Sequence, residues 1–536
     1  MHERRHRNDP RGRAAAAAPA FAPALALALV LVAPSLAAAA TLQVGPGKTY
    51  QKVSDAVAAA KSGDVIEVDP GDYVNDFSQV NQADLTIKGV GDPRPHLSAN
   101  VLIPNKKGIF VVNGDAGLKV EHLELSGAMI SEGDGNNGAG IRMQGKSLEV
   151  RDCYIHDNQN GILSGGTPDY TVLIEGTEFA YNGQAGYEHN VYISGEAKSF
   201  IFRGNYSHHA KHGHTLKSRA FENHILYNRI MDEADGYSSY VVDLPQGGLS
   251  YVIGNLIEQG PMAENTGTIV NYKEEGTTNP DLRLYFAHNT VVNDNPKATG
   301  FVHVHEASEV HAYNNLFVGP GTPFVVDGNP TFVDMGNLQT DAPGLVDQAG
   351  YDYHLADGSP AIDAGVMPPD DLVPDTHYLH PAMQEPRPVV GALDVGAYEF
   401  GMGEPSTDTD ATTTTDGTTT TDGTSTTDGT SGGESTSSTG GSTSGSTGGT
   451  GTGSSGSASG TSDGGTTDAS TDASTGGSAS TGASASASAT DSATTEAAGD
   501  DDGSGCACRQ DRSSGPGAAL LLLALPLLAR RRRALG

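Results

Sequence analysis

The stretch VRDCYIHDN, residues 150–158, returns in altered form six times along the chain. IEGTEFAYN (174–182), FRGNYSHHA (202–210), LYNRIMDEA (226–234), IGNLIEQGP (253–261), AHNTVVNDN (287–295) and YNNLFVGPG (313–321) keep its plan of a polar or small residue followed two positions later by a mostly apolar one. The recurring positions are Cys153, Thr177, Asn205, Asn228, Asn255, Asn289 and Asn315, on average about 27 residues apart. Between them lie short β-rich runs divided by Gly, Asn or Asp, such as GIRMQ (140–144), NVYIS (190–194), SYVVDLP (239–245), TGTIVNY (266–272) and FVHVHE (301–306).

Short strands at a fixed period in the twenties, without a helical pattern, predict an all-β solenoid, the right-handed parallel β-helix. A β-propeller competes, but it asks for about 40 residues per blade and antiparallel strands. The Asn series favours the β-helix. A bend amide stacked on its copy one coil along can pair with it, whereas a buried unpaired amide costs about 1–3 kcal/mol.

A solenoid needs capped ends. In TYQKVSDAVAAAKSGDVIEVDPGDY (49–73), Val53, Ala56, Val57 and Ala60 fall at helical spacing, Gly63 stops the helix and VIEV opens the first coil. This stretch resembles the opening of pectate lyase-like right-handed β-helix proteins, which include pectin esterases and polysaccharide lyases. YDYHLADGSPAIDAG (351–365) with VGALDVGAYEF (390–400) resembles the closing segment of secreted bacterial β-helix proteins. The resemblance spans nearly all of 41–400 and implies the fold rather than an activity.

Outside that span the composition changes. Residues 1–13 hold five Arg, and an apolar run ending in PSLAAAA (34–40) follows, so 1–40 reads as a signal peptide, with a membrane anchor as the alternative. Residues 403–505 are almost entirely Ser, Thr, Gly, Ala and Asp with no aromatic or Leu/Ile/Val, the composition of a disordered linker. Residues 506–536 carry Cys506, Cys508, a short apolar run and an Arg cluster. This order of parts resembles the myxobacterial C-terminal sorting tail (MYXO-CTERM). That resemblance implies a sorting protease as partner and display on the outer-membrane surface of a Gram-negative bacterium. The working domain is 41–402, expected as a monomer, with Cys153 its only cysteine and hence no internal disulfide. The formal net charge of −33 argues against nucleic acid and requires a locally positive groove for any anionic substrate.

Alternation along strands then places candidate site residues. Val191 and Ile193, Leu216, Val242 and Leu244, Tyr272, and Val302 and Val304 should point inward. Tyr192, Lys217, Asp243, Lys273, His303 and His305 should form one outward polar stripe across five coils stacked about 4.8 Å apart. GHTLKSRA (213–220) supplies one rung, and His189, His212 and His214 lie beside it. Outward polar residues are the default on any β-helix, and the enrichment in His, Lys and Arg is what singles out this sheet.

No G-x-S-x-G, P-loop or Cys–His nucleophile motif is present. A zinc site would need a third ligand beside His212 and His214, which nothing in the spacing supplies. Calcium would take oxygen ligands such as Asp243 and Glu274, with Glu275 and Glu306 also near the stripe, and EGDGNNG (132–138) could be a calcium loop or a plain turn. The residues suit β-elimination on a uronic acid polysaccharide, which needs a cation at the carboxylate, a base for the C5 proton and an acid for the leaving oxygen. Lys217 is the candidate base, Arg219 or Lys273 the cation, and His212 or His214 the acid. LKSRAFENHILYNRI (216–230) is similar to the Lys-Ser-x-x-x-Asn stretch of polysaccharide lyase family six, in which the resemblance implies a Lys base and a calcium ion. The chain departs from that pattern at His212 and His214, which stand where the family has acidic ligands, and at DLPQGG (243–248), which lacks the family's Arg. A carbohydrate-binding adhesin and a hydrolase or esterase remain the alternative readings.

Overall fold

The computed structural model describes residues 39–401 except 185, 277 and 278. The expected leader, linker and sorting tail therefore lie almost wholly outside the described residues. Among the described residues no helix is long and apolar enough to cross a membrane.

Three long sheets run the length of the domain, with twelve, ten and eleven strands. All pairings within them are parallel, and each strand pairs with its counterpart one coil earlier and one coil later, as Val150 pairs Ile174 and Ile174 pairs Phe202. This is a right-handed parallel β-helix, capped by the helix Val53–Ala59. The helix buries Val53, Ala56 and Val57, and its first amides are capped from a distance: Asp76 accepts the N–H groups of Val53 (2.6 Å) and Ser54 (3.1 Å).

The repeat read from the sequence is a bend. The residue before each recurring position is left-handed, from Asp152 (φ 48°) and Gly176 (56°) through Tyr227 (56°) and His288 (51°) to Asn314 (52°). The residue after it turns inward and joins a ladder. Asn205 Nδ2 donates to Asn228 Oδ1 (3.1 Å), Asn228 to Asn255 (2.9 Å), Asn255 to Asn289 (3.0 Å) and Asn289 to Asn315 (3.0 Å). The ladder continues to Asn337 at 2.7 Å, one coil beyond the positions the sequence pattern singled out. A second amide run, Asn158 to Asn182 to Asn190, both steps 3.0 Å, lines another corner.

Every side chain expected to point inward from the ten-stranded sheet does so. Val191, Ile193, Leu216, Val242, Leu244, Tyr272, Val302 and Val304 are fully buried in the central core. Residues beyond about 345 leave the coil pattern. They form two antiparallel pairs, Leu345–Asp347 with Asp352–Leu355 and Thr376–Leu379 with Met383–Pro386. Tyr353, Tyr378 and Tyr398 of this segment pack on Tyr206, Leu256 and Leu316 of the eleven-stranded sheet. That leaves the ten-stranded sheet as the wall carrying the candidate stripe.

Candidate active site

On the ten-stranded sheet, register pairs Tyr192 with Lys217, Lys217 with Asp243, Asp243 with Asn271 and Asn271 with His303. Five side chains far apart in sequence therefore form one row. Asn271 holds the rung expected for Lys273. Lys273 and His305 sit two residues along, where the strands end, and Lys273 takes a left-handed φ of 63° as the chain turns away.

The middle of the row is a covered cluster, where an open groove was expected, while Tyr192 and His303 at its ends stay partly exposed. Lys217, Asp243, Arg219, His214, His189 and Lys273 are all buried, Asp243 to 1% exposure. The physical reason is ion pairing combined with the returning chain. Asp243 Oδ2 takes Lys217 Nζ at 3.0 Å and His214 Nε2 at 3.1 Å, while Oδ1 takes Asn271 Nδ2 at 2.7 Å. Burial alone would raise the Asp243 carboxyl. The Lys217 ammonium, His214 and the donated hydrogen bonds outweigh it and hold the group well below the usual carboxylate range.

The histidine tautomers follow from the same contacts. The Tyr240 N–H points at His214 Nδ1 (3.2 Å), and the His214 N–H points at His189 Nδ1 (2.9 Å). Each Nδ1 thus accepts, and His214 carries its proton on Nε2, facing Asp243. Burial, with Lys217 next for His214 and with His214 and Lys217 next for His189, pushes both rings down from their ordinary value. The rings stack with centroids 4.8 Å apart. Gly213 makes this possible: its φ is 71°, and a Cβ there would meet Glu188 O at 1.9 Å and His189 Nδ1 at 2.7 Å.

That turn also separates two residues expected on one strand face. Residues 211–213 form a bend, and His212 leaves the cluster to pack edge-on against Tyr237 (5.2 Å). It lines a shallow depression of ≈ 270 Å³ with Lys211, Asp157 and Gln159. His212 is therefore not paired with His214.

Arg219 sits over the Tyr192 ring at 5.0 Å, and Lys217 Nζ lies 5.8 Å from the same ring. Arg219 grips Glu275 with both arms, Nε to Oε2 at 2.9 Å and Nη2 to Oε1, and Glu275 Oε1 is also 3.7 Å from Lys217 Nζ. From the sequence Glu275 was expected only as a possible calcium ligand, with no role toward Arg219. It reaches the site because the chain after Lys273 folds back, with the Glu275 N–H on Pro245 O (2.8 Å) and Lys273 Nζ on Glu275 O (2.7 Å).

The expected calcium ligands do not fit such an ion here. Asp243 already takes three donors, one of them an ammonium that a divalent cation would meet at the same oxygen, and Glu274 is turned to Asn271 (3.2 Å) and Tyr240 (3.1 Å). His303 and His305 stack at 3.7 Å and both approach Asp327, at 3.0 and 3.7 Å.

The fold and this cluster define a class: a parallel β-helix with an ionised, aromatic-backed row on one wall. No protein-family model matches the chain, and no curated protein matches it in sequence. Among solved structures it is similar to the pectate lyase Pel9A (13% identity, TM-score 0.47, covering 68% of this chain and 97% of that one). It is also similar to the family-six alginate lyase AlyGC (14%, TM-score 0.31, 58% and 41%) and to a pectin methylesterase from Aspergillus niger (12%, TM-score 0.25, 56% and 85%).

Proposed function

We propose that the protein recognises a uronic acid polysaccharide on the ten-stranded sheet, and that it cleaves this polymer by β-elimination. The observation that carries the reading is the Arg219–Glu275 pair on the Tyr192 face. Two cations backed by an aromatic ring hold a carboxylate in a two-armed grip. A uronate offers the same chemistry, a carboxylate on a ring with an apolar face. Glu275 stands in for that carboxylate, and substrate displaces it.

In this reading Arg219 holds the carboxylate and Lys273 adds positive charge nearby. Lys217 is ion-paired with Asp243, so it enters the reaction protonated and acts as donor rather than as the base expected from sequence. Neither His189 nor His214 offers a lone pair at Nδ1, because each accepts a main-chain N–H. Tyr192 is the base in this reading and has to enter the reaction ionised, a form that the Arg219 and Lys217 charges beside its ring would favour, so that the C5 proton passes to its oxygen. The released electron pair forms the C4=C5 double bond, the C4–O bond breaks, and Lys217 protonates the leaving oxygen. Asp243 positions Lys217 and His214. The leader and tail read from the sequence would set this domain on the cell surface, where such polymers are met.

Binding without turnover is the second reading, favoured by the burial of Lys217, Asp243, Arg219, His214 and His189. Incubating residues 41–402 with alginate, pectate and chondroitin while following absorbance near ~232 nm, the band of the unsaturated uronate that elimination leaves, separates the two. New unsaturated ends support elimination, glycan retention without them selects the binder, and reducing ends or methanol without them select a hydrolase or esterase.

A further inference from the structure

The eleven-stranded sheet carries a second cluster, on coils before those the C-terminal segment covers. His96 pairs in register with Glu124, and His156 pairs with Ser126, two residues along the same strand face. Three coils thereby bring His96, Glu124 and His156 together, with one donor atom from each within 4.8 Å of the other two. We propose that His96, Glu124 and His156 form a binding site for a divalent transition-metal ion of the zinc class on the outer wall of this sheet.

The donor set is two imidazoles and one carboxylate, the chemistry of zinc rather than of calcium. Spacing agrees. Ligands about 2.0–2.1 Å from a tetrahedral ion lie about 3.3–3.4 Å from one another. Glu124 Oε1 is 3.1 Å from His156 Nε2 and 3.6 Å from His96 Nε2.

Proton count agrees as well. His156 presents its other nitrogen, Nδ1, to Asp157 Oδ2 at 2.9 Å, so both ring nitrogens face carboxylates. An imidazole that binds an ion through Nε2 keeps its one N–H on Nδ1. With that proton on Nδ1, a cation between Nε2 and Glu124 Oε1 satisfies the other contact. Asp157 is then the outer carboxylate that fixes the tautomer of a metal-bound histidine, and it is itself held by Lys211 at 2.7 Å. Tyr154, stacked on His156 at 4.1 Å, fixes the ring plane.

His96 Nε2 also lies 2.7 Å from Ser126 Oγ, a hydrogen bond the ion would replace. The three side chains are 27%, 28% and 16% exposed, so an ion can enter from solvent and keep its fourth position for water or a ligand carboxylate. The site clamps successive coils together and is independent of the ten-stranded wall.

The test is titration of the metal-free chain with Co²⁺, followed by Zn²⁺ competition. Expected are an intense visible band of tetrahedral Co²⁺, its loss on adding Zn²⁺, and a higher thermal midpoint with Zn²⁺. His156→Ala, Glu124→Gln and His96→Ala should each weaken binding at least about tenfold, the loss of one of three ligands. Asp327→Asn, at the His303–His305 cluster, should leave it unchanged. Circular dichroism reports whether each variant is folded. Should the wild-type chain bind neither ion, the contacts are proton-mediated and the proposal falls. It falls equally if folded variants bind as tightly as wild type, or if Asp327→Asn abolishes the band.

Discussion

Lys217 Nζ lies 3.0 Å from Asp243 Oδ2, and both side chains are almost wholly enclosed, at 4% and 2% exposure. The pair joins adjacent coils of one sheet and is bordered by His214, Asn271 and Glu275. Its enclosure makes it costly to break from one side. Lys217→Met leaves a buried carboxylate, and Asp243→Leu leaves a buried ammonium. Each should lower stability by about 3–5 kcal/mol, and the double variant should lose less than either. Urea unfolding of the four proteins checks this, and additive losses would count against the pairing.

Glu275 should act as a competitor for substrate. Glu275→Gln removes the resident negative charge from Arg219, so uronan affinity should rise several-fold while Arg219→Ala abolishes it. Affinity electrophoresis on alginate and pectate reads both. Weaker binding by the folded Glu275→Gln protein would place the polymer elsewhere.

His214 should be neutral at pH 7.5, about a unit above the ordinary histidine value, with its proton on Nε2, and His189 should be neutral as well. Nitrogen-15 shifts of the ring atoms report tautomer and charge directly. An imidazolium at His214 would contradict the acceptor role given to its Nδ1.

Folding stability should fall as pH drops below about 6.5, the ordinary histidine value. Burial lowers His189 and His214, and burial with Arg387 nearby brings His288 down to about 3. The unfolded chain therefore takes up protons near pH 6.5 that the folded chain refuses until much lower pH. Replacing His288 with Asn removes one such group and should flatten the slope between pH 6.5 and 4 by up to about 1.4 kcal/mol per pH unit. Denaturant midpoints across that range give the comparison.

The Asn ladder should weaken toward its end. Asn255 is fully buried, donates to Ile225 O (2.8 Å) and Asn289, and accepts the Asn228 N–H (3.0 Å). Asn255→Ala orphans these groups, at about 1–3 kcal/mol for each buried partner left unpaired. Asn337→Ala, at a half-buried rung, should cost less. Equal losses would mean that burial of a rung does not set what it contributes.

Much of the site was legible in the chain because strand alternation and coil period are local properties. NVYIS, HTLKS and VVDLP fix which residues point outward, and the period fixes which of them become neighbours. Where the reading missed, the cause was non-local. His212 and His214 look equivalent until Gly213, at φ 71°, turns the chain between them. Glu275 carries no motif, and its place depends on a chain reversal after Lys273. His96 and Glu124 belong to coils ahead of Cys153, where Pro95 and Leu123 stand at the bend in place of the Asn that marks later coils, so the repeat did not align them with His156.

The sequence by itself determined the coil, its period, its inward face and its caps, because backbone propensity and apolar alternation act over a few residues and are repeated down the chain. Tertiary structure alone decided that the polar wall is closed rather than open, that Lys217 is held by Asp243, and that an acidic side chain occupies the Arg219 grip. Those outcomes depend on which charges are removed from water together, and burial is a property of the packed coils rather than of any segment within them.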